Sequence, residues 1–164
     1  MRSIRVLVLV ACLPLVLLLG GCGSGKKAKT DQQMIQGTWV VQSLEVGGKA
    51  SKDMDNAEWT FTNDAVELRQ PGREIVTGAA KSGQPIMTKA PDRESKGTFH
   101  LNPTKNPREI DLTMQADGQE REVAGIYIVE HDKLTLGIPT KKDGPRATSW
   151  SEPGLGVLTL KRVK

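Results

Sequence analysis

The residue types that most often carry chemistry are present in this 164-residue chain, but their spacing assembles no familiar site. His100 sits between Phe99 and Leu101; on a strand with those two turned inward, the imidazole faces outward. His131 adjoins Asp132 in a predicted turn, where both residue types are at home. Two isolated histidines do not fill the three protein positions of a zinc centre without carboxylates, and no metal-ligand spacing occurs. No serine lies in Gly-x-Ser-x-Gly. Gly47-Gly48 and Gly154-Leu155-Gly156 precede no helical pattern and cradle no phosphate. Glu120 and Glu122 bracket Arg121 at a predicted strand start, a solvated position. No catalytic residue, metal ligand or cofactor is therefore expected, and hydrolase chemistry ranks last among the readings.

The two cysteines, Cys12 and Cys22, both lie near the start of the chain. The domain that follows has no thiol and no disulfide, and its stability rests on its core. Arg2 and Arg5 precede an apolar stretch, Val6 to Leu19, of fourteen residues broken by Pro14. A membrane-spanning helix needs about 20 residues, so this reads as a cleaved targeting segment, residues 1–21. It ends Leu19-Gly20-Gly21-Cys22, which resembles the bacterial lipobox. That resemblance implies a lipoprotein signal peptide, cleavage before Cys22, a thioether diacylglycerol on its sulfur and an N-linked acyl chain such as palmitate. Two or more chains anchor stably, at about 0.8 kcal/mol per buried methylene. Gly23 and Ser24 follow, without the Asp that retains enterobacterial lipoproteins in the inner membrane. The expected location is the cell envelope, facing the periplasm, with the outer membrane favoured. Residues 22–30 read as acylated Cys plus a flexible tether with a reach of roughly 15 Å.

Charge follows the same division. The formal net charge of +4 reflects 23 basic against 19 acidic residues; without Arg2, Arg5, Lys26, Lys27 and Lys29, the basic count falls to 18. The domain is near neutral and carries no basic patch interleaved with aromatics, so nucleic acid is not an expected partner.

The elements that must position any site are short strands. A helical turn over Asp31–Ile35, capped by Thr30 or Asp31, brings Met34 and Ile35 to one end of the core. Trp39–Val46 is rich in β-branched residues and forms the first strand. Ser51–Ala57 is a candidate short helix. Glu58–Thr62 and Ala65–Arg69 alternate around Asn63-Asp64, a hairpin signal. Residues 70–95 form an inserted loop or hairpin built on Ile75-Val76 and Ile86-Met87. Strands follow at Gly97–Leu101, Glu109–Met114, Arg121–Glu130, Lys133–Ile138 and Gly156–Arg162. The sum is an all-β, antiparallel barrel of eight or nine strands over residues 31–164.

Two resemblances support a barrel. Gly37-Thr38-Trp39 is similar to the Gly-x-Trp of the lipocalins, which implies that Trp39 plugs the closed end of a calycin-type barrel beneath an Arg, here Arg162. Gln36–Trp39, Gly97-Thr98-Phe99, Asn102–Pro107, Ile110-Asp111-Leu112, Gly125-Ile126-Tyr127 and Leu158–Arg162 resemble an uncharacterised lipocalin-like domain family of planctomycete type. It implies a fold and a bacterial source, not an activity. The 70–95 insertion departs from it, and the absence of a disulfide and C-terminal helix departs from true lipocalins.

The functional expectation is a non-enzymatic, lipid-anchored module that binds envelope proteins or has a structural role, with membrane lipid as its partner through Cys22. The alternative is a carrier of a small apolar ligand in the barrel, contacted by Trp59, Phe61, Phe99 and Tyr127. Trp150, flanked by serines in a loop, is expected to cover one barrel end or to lid the mouth of a pocket.

Overall fold

The computed structural model describes residues 29–79, 84–116, 118–142 and 144–164. The signal peptide, Cys22 and most of the tether, as read from the sequence, lie outside these residues, as does the tip of the 70–95 insertion.

A single helical turn, α1 (Asp31–Ile35), opens the described chain. The Thr30 hydroxyl accepts from the Gln33 amide while the Gln33 side chain accepts from the Thr30 amide, a reciprocal capping box. Eleven strands follow. They are β1 (Gly37–Val46), β2 (Lys49–Ser51), β3 (Glu58–Thr62), β4 (Ala65–Gln70), β5 (Glu74–Ala79), β6 (Pro85–Lys89), β7 (Arg93–Asn102), β8 (Arg108–Ala116), β9 (Gln119–Val129), β10 (Lys133–Pro139) and β11 (Leu155–Arg162).

Eight of them close an antiparallel, lipocalin-like barrel in the order β1-β3-β4-β7-β8-β9-β10-β11, with β11 pairing back onto β1. The register sets Trp39 opposite both Arg162 and Trp59. A register shift between Val41 and Ser43 bends β1, so its first half pairs with β3 and its second half with the short β2. The Ser51–Ala57 stretch, a candidate helix by composition, is instead the last residue of β2 followed by turns. Its seven residues, with only Met54 central and apolar, have too little to bury along a helical face.

Alternation decides the inside. Trp39 and Val41, Trp59 and Phe61, Phe99 and Leu101, Ile110, Leu112 and Met114, and Leu158 and Leu160 all point into one core. Strand β9 is apolar on both parities for two separate reasons. Tyr127 and Val129 face the barrel core, whereas Ile126 faces a second cluster outside it with Ala147 and Leu155. Trp150 belongs to that outer cluster. It rests against Gly137, where a Cβ would stand 3.2 Å from its ring and 2.7 Å from Ile126. Trp150 thus covers the outer wall, neither a barrel end nor a mouth. Arg146, in the same loop, fastens it by donating to the Gly125 carbonyl at 2.8 Å and pairing with Asp111.

The insertion holds a separate two-stranded sheet, β5–β6, which continues β4 and β7 beyond the barrel rim. Among the described residues, no helix is long and apolar enough to cross a membrane.

Candidate functional site: a one-ended apolar cavity

The two ends of the barrel differ because the aromatic residues are unequally shared between them. At the end where α1 enters, Trp39 is fully buried and its indole N–H donates to the Ile35 carbonyl at 2.7 Å. Arg162 lies over the ring, 4.0 Å from its centroid, and donates to the carbonyls of Gln36 at 2.5 Å, of His131 at 2.9 Å and of Met34. Gly37 has φ +111°, and a Cβ there would meet the Arg162 guanidinium at 3.0 Å. Only glycine satisfies both the backbone and that approach.

Above this plug, Phe61 stacks near Trp59 with centroids 6.2 Å apart and meets Phe99 edge-on at 5.0 Å. Tyr127 is fully buried and donates to Asp31 at 2.7 Å, and Arg108 pairs with the same carboxylate at 2.9 Å. Burial, then the hydrogen bond to Asp31, pushes the Tyr127 hydroxyl above its ordinary value. This half of the barrel is filled.

The other half is not. A cavity of about 500 Å³ opens at the far end, its wall built from Leu44, Leu68, Leu112, Met114, Val123 and Leu158, with Trp59 toward its floor. The volume falls within the range of small-molecule sites, roughly 300–1,000 Å³. Its origin is side-chain size. Eight-stranded barrels are either just filled by their side chains or left with room for one small ligand. Here five of the six aromatics crowd the plugged half and the rest of the lining is medium-sized aliphatic.

Of the four residues expected at a ligand, Trp59 lines the cavity. Phe61, Phe99 and Tyr127 are buried in the core and stand outside its wall. They pack between the cavity and the Trp39 plug because their strand positions lie toward the α1 end. Trp59 is 4% exposed, and its Nε1 donor is buried without an acceptor among the described residues. An orphaned donor costs about 1–3 kcal/mol, a tolerated strain of the kind that clusters at binding sites.

Polar groups reach the cavity at its rim. Asp53, on the β2–β3 connection, is paired with Arg73 at 2.5 Å and accepts from the Ser51 hydroxyl at 2.9 Å. The hydrogen bond from Arg73 holds its carboxyl below the ordinary value. Arg121, at the start of β9, is the exposed strand-start residue expected from sequence, and it also borders the cavity.

The histidines stand apart from this site. His100 is exposed on β7, opposite Asp111, and His131 is exposed in the β9–β10 turn, 2.9 Å from Asp132. Among the described residues, no group of three or more potential metal ligands converges. Four exposed apolar residues, Ile75, Val76, Ile86 and Met87, mark the β5–β6 hairpin beside the mouth. Comparison of the chain with protein-family models, with curated proteins and with solved structures finds no match, so what is known of the site comes from its own residues.

Proposed function

We propose that the protein is a non-catalytic binder of a small apolar ligand, taken into the open half of the barrel and kept at the cell envelope by the lipid expected on Cys22. One observation carries this reading: a cavity of about 500 Å³ with a wall dominated by aliphatic side chains, closed at its base by packed aromatics. The aliphatic side chains that make up most of this wall carry no acid–base or nucleophilic group. A pocket of this kind gains affinity by removing apolar surface from water, at roughly 25 cal/mol per Å² before the costs of association. The test is a fluorescence titration of the purified protein with a neutral apolar probe. Saturable one-to-one binding is expected, and Leu68→Trp, which fills the mouth, should weaken it at least tenfold while the far-ultraviolet spectrum is unchanged. A signal that never saturates, or that ignores Leu68→Trp, contradicts the reading.

The interaction module expected from sequence remains the second reading, favoured by the β5–β6 hairpin. Val76 is 64% exposed and pairs with Met87 at 49%, an apolar face on the end of the barrel opposite α1. That face lies at the end of the barrel away from the expected anchor, where an envelope protein could reach it. Cross-linking in intact cells distinguishes this: Val76→Ser with Met87→Ser should remove a specific adduct, and an unchanged adduct pattern refutes it.

A further inference from the structure

The cavity wall is mostly apolar, which makes the two charged residues on it, Asp53 and Arg121, informative. Arg121 is two residues from Val123 and six from Tyr127 on β9 and shares their parity, but at the start of the strand it is exposed, at the mouth of the cavity and not within it. Its neighbours Glu120 and Glu122 take the opposite parity, and Glu120 is engaged by Gln115 at 2.6 Å. Asp53, the acid in the same wall, is held by Arg73. Among the described residues Arg121 makes no ion pair. It also borders a smaller adjoining pocket of about 110 Å³, to which the β10–β11 loop contributes Lys141 and Lys142 and β9 contributes Glu122.

Arg121 thus borders one side of the mouth of an aliphatic tube, and Lys141 and Lys142 border the small pocket beside it. A wholly apolar occupant has no use for a guanidinium at the rim. An alkyl chain with an anionic head group uses both parts: the chain fills the tube, and the head group meets Arg121, whose planar fork matches a carboxylate in bidentate fashion. We propose that the occupant is a single-chain anionic amphiphile and that Arg121 is the residue selecting its head group, with Lys141 and Lys142 adding a weaker, longer-range attraction. This rests on the cavity reading above and names the ligand class for it.

The experiment compares decanoate with decanol, equal chains that differ in head-group charge, on the purified protein by calorimetric titration. At low ionic strength decanoate should bind about fivefold to tenfold more tightly, because the rim is solvent-exposed and its contribution is screened. Raising the salt to about 1 M should shrink the preference toward unity. Arg121→Gln should bring decanoate to the level of decanol and leave decanol within about twofold, which also shows the variant to be folded. Lys141→Gln with Lys142→Gln should lower decanoate affinity about twofold. Equal affinity for the two ligands, or an Arg121→Gln variant that loses both alike, overturns the head-group assignment alone. Failure of both ligands to bind overturns it together with the cavity reading.

Discussion

Arg162 does two jobs at once: its guanidinium covers the Trp39 ring and supplies donors to three backbone carbonyls at the plugged end. Truncation leaves those carbonyls short of partners, about 1–3 kcal/mol, and removes a cation–π contact of about 0.5–2 kcal/mol. Arg162→Ala should therefore lower stability by about 2–4 kcal/mol in urea denaturation. Arg162→Lys should recover less than half, since an ammonium cannot reproduce the fork. A loss under about 0.5 kcal/mol would show the plug to be ornamental. Tyr127, the single tyrosine, gives a second residue-scale test. Its folded value lies above the unfolded value near 10, so its contribution to stability is fully present below about pH 10 and is lost as pH rises above that. Absorbance of the phenolate should stay absent in the folded protein at pH 10.5 and appear only with unfolding. An ordinary titration midpoint near 10 contradicts the burial and the Asp31 bond.

Secondary elements differ in how far the sequence reveals them. The β3–β4 hairpin is legible because Trp59, Phe61, Val66 and Leu68 alternate around Asn63-Asp64, and the structure adds only that Asn63 takes the left-handed conformation. The role of the 140–154 loop is not legible. Trp150 has serine neighbours and no periodic partner, and its seat on Gly137 arises from the three-dimensional approach of β10, not from local pattern. The place of Arg121 beside the cavity is hidden for a similar reason: it is the solvated strand start that its two glutamate neighbours suggest, and only closure of the barrel sets it at the mouth. The β5–β6 hairpin is a distinct case, since its exposed apolar residues contribute nothing to the barrel core. Two-stranded sheets are marginal alone. Replacing residues 74–89 with a short Gly-Ser turn should change barrel stability by no more than about 1 kcal/mol. A fall of several kcal/mol in thermal or urea unfolding would mean that the hairpin supports the fold.

At the scale of the whole molecule, the barrel and its closure are readable from turn spacing and alternation, whereas the cavity is not. Whether a barrel is filled depends on how side-chain volume is distributed along its axis, and composition alone hides that distribution. The few aromatics leave one half open because they cluster at the other. Lipid attachment at Cys22 rests on the sequence motif. The most direct measurement of the central claim is methyl nuclear magnetic resonance on addition of decanol. The resonances of Leu44, Leu68, Met114, Val123 and Leu158 should shift together and saturate at one equivalent, while those of Ile35 and Leu134 at the packed end stay in place. Scattered shifts over the surface, or none, would contradict an open, ligand-accepting cavity.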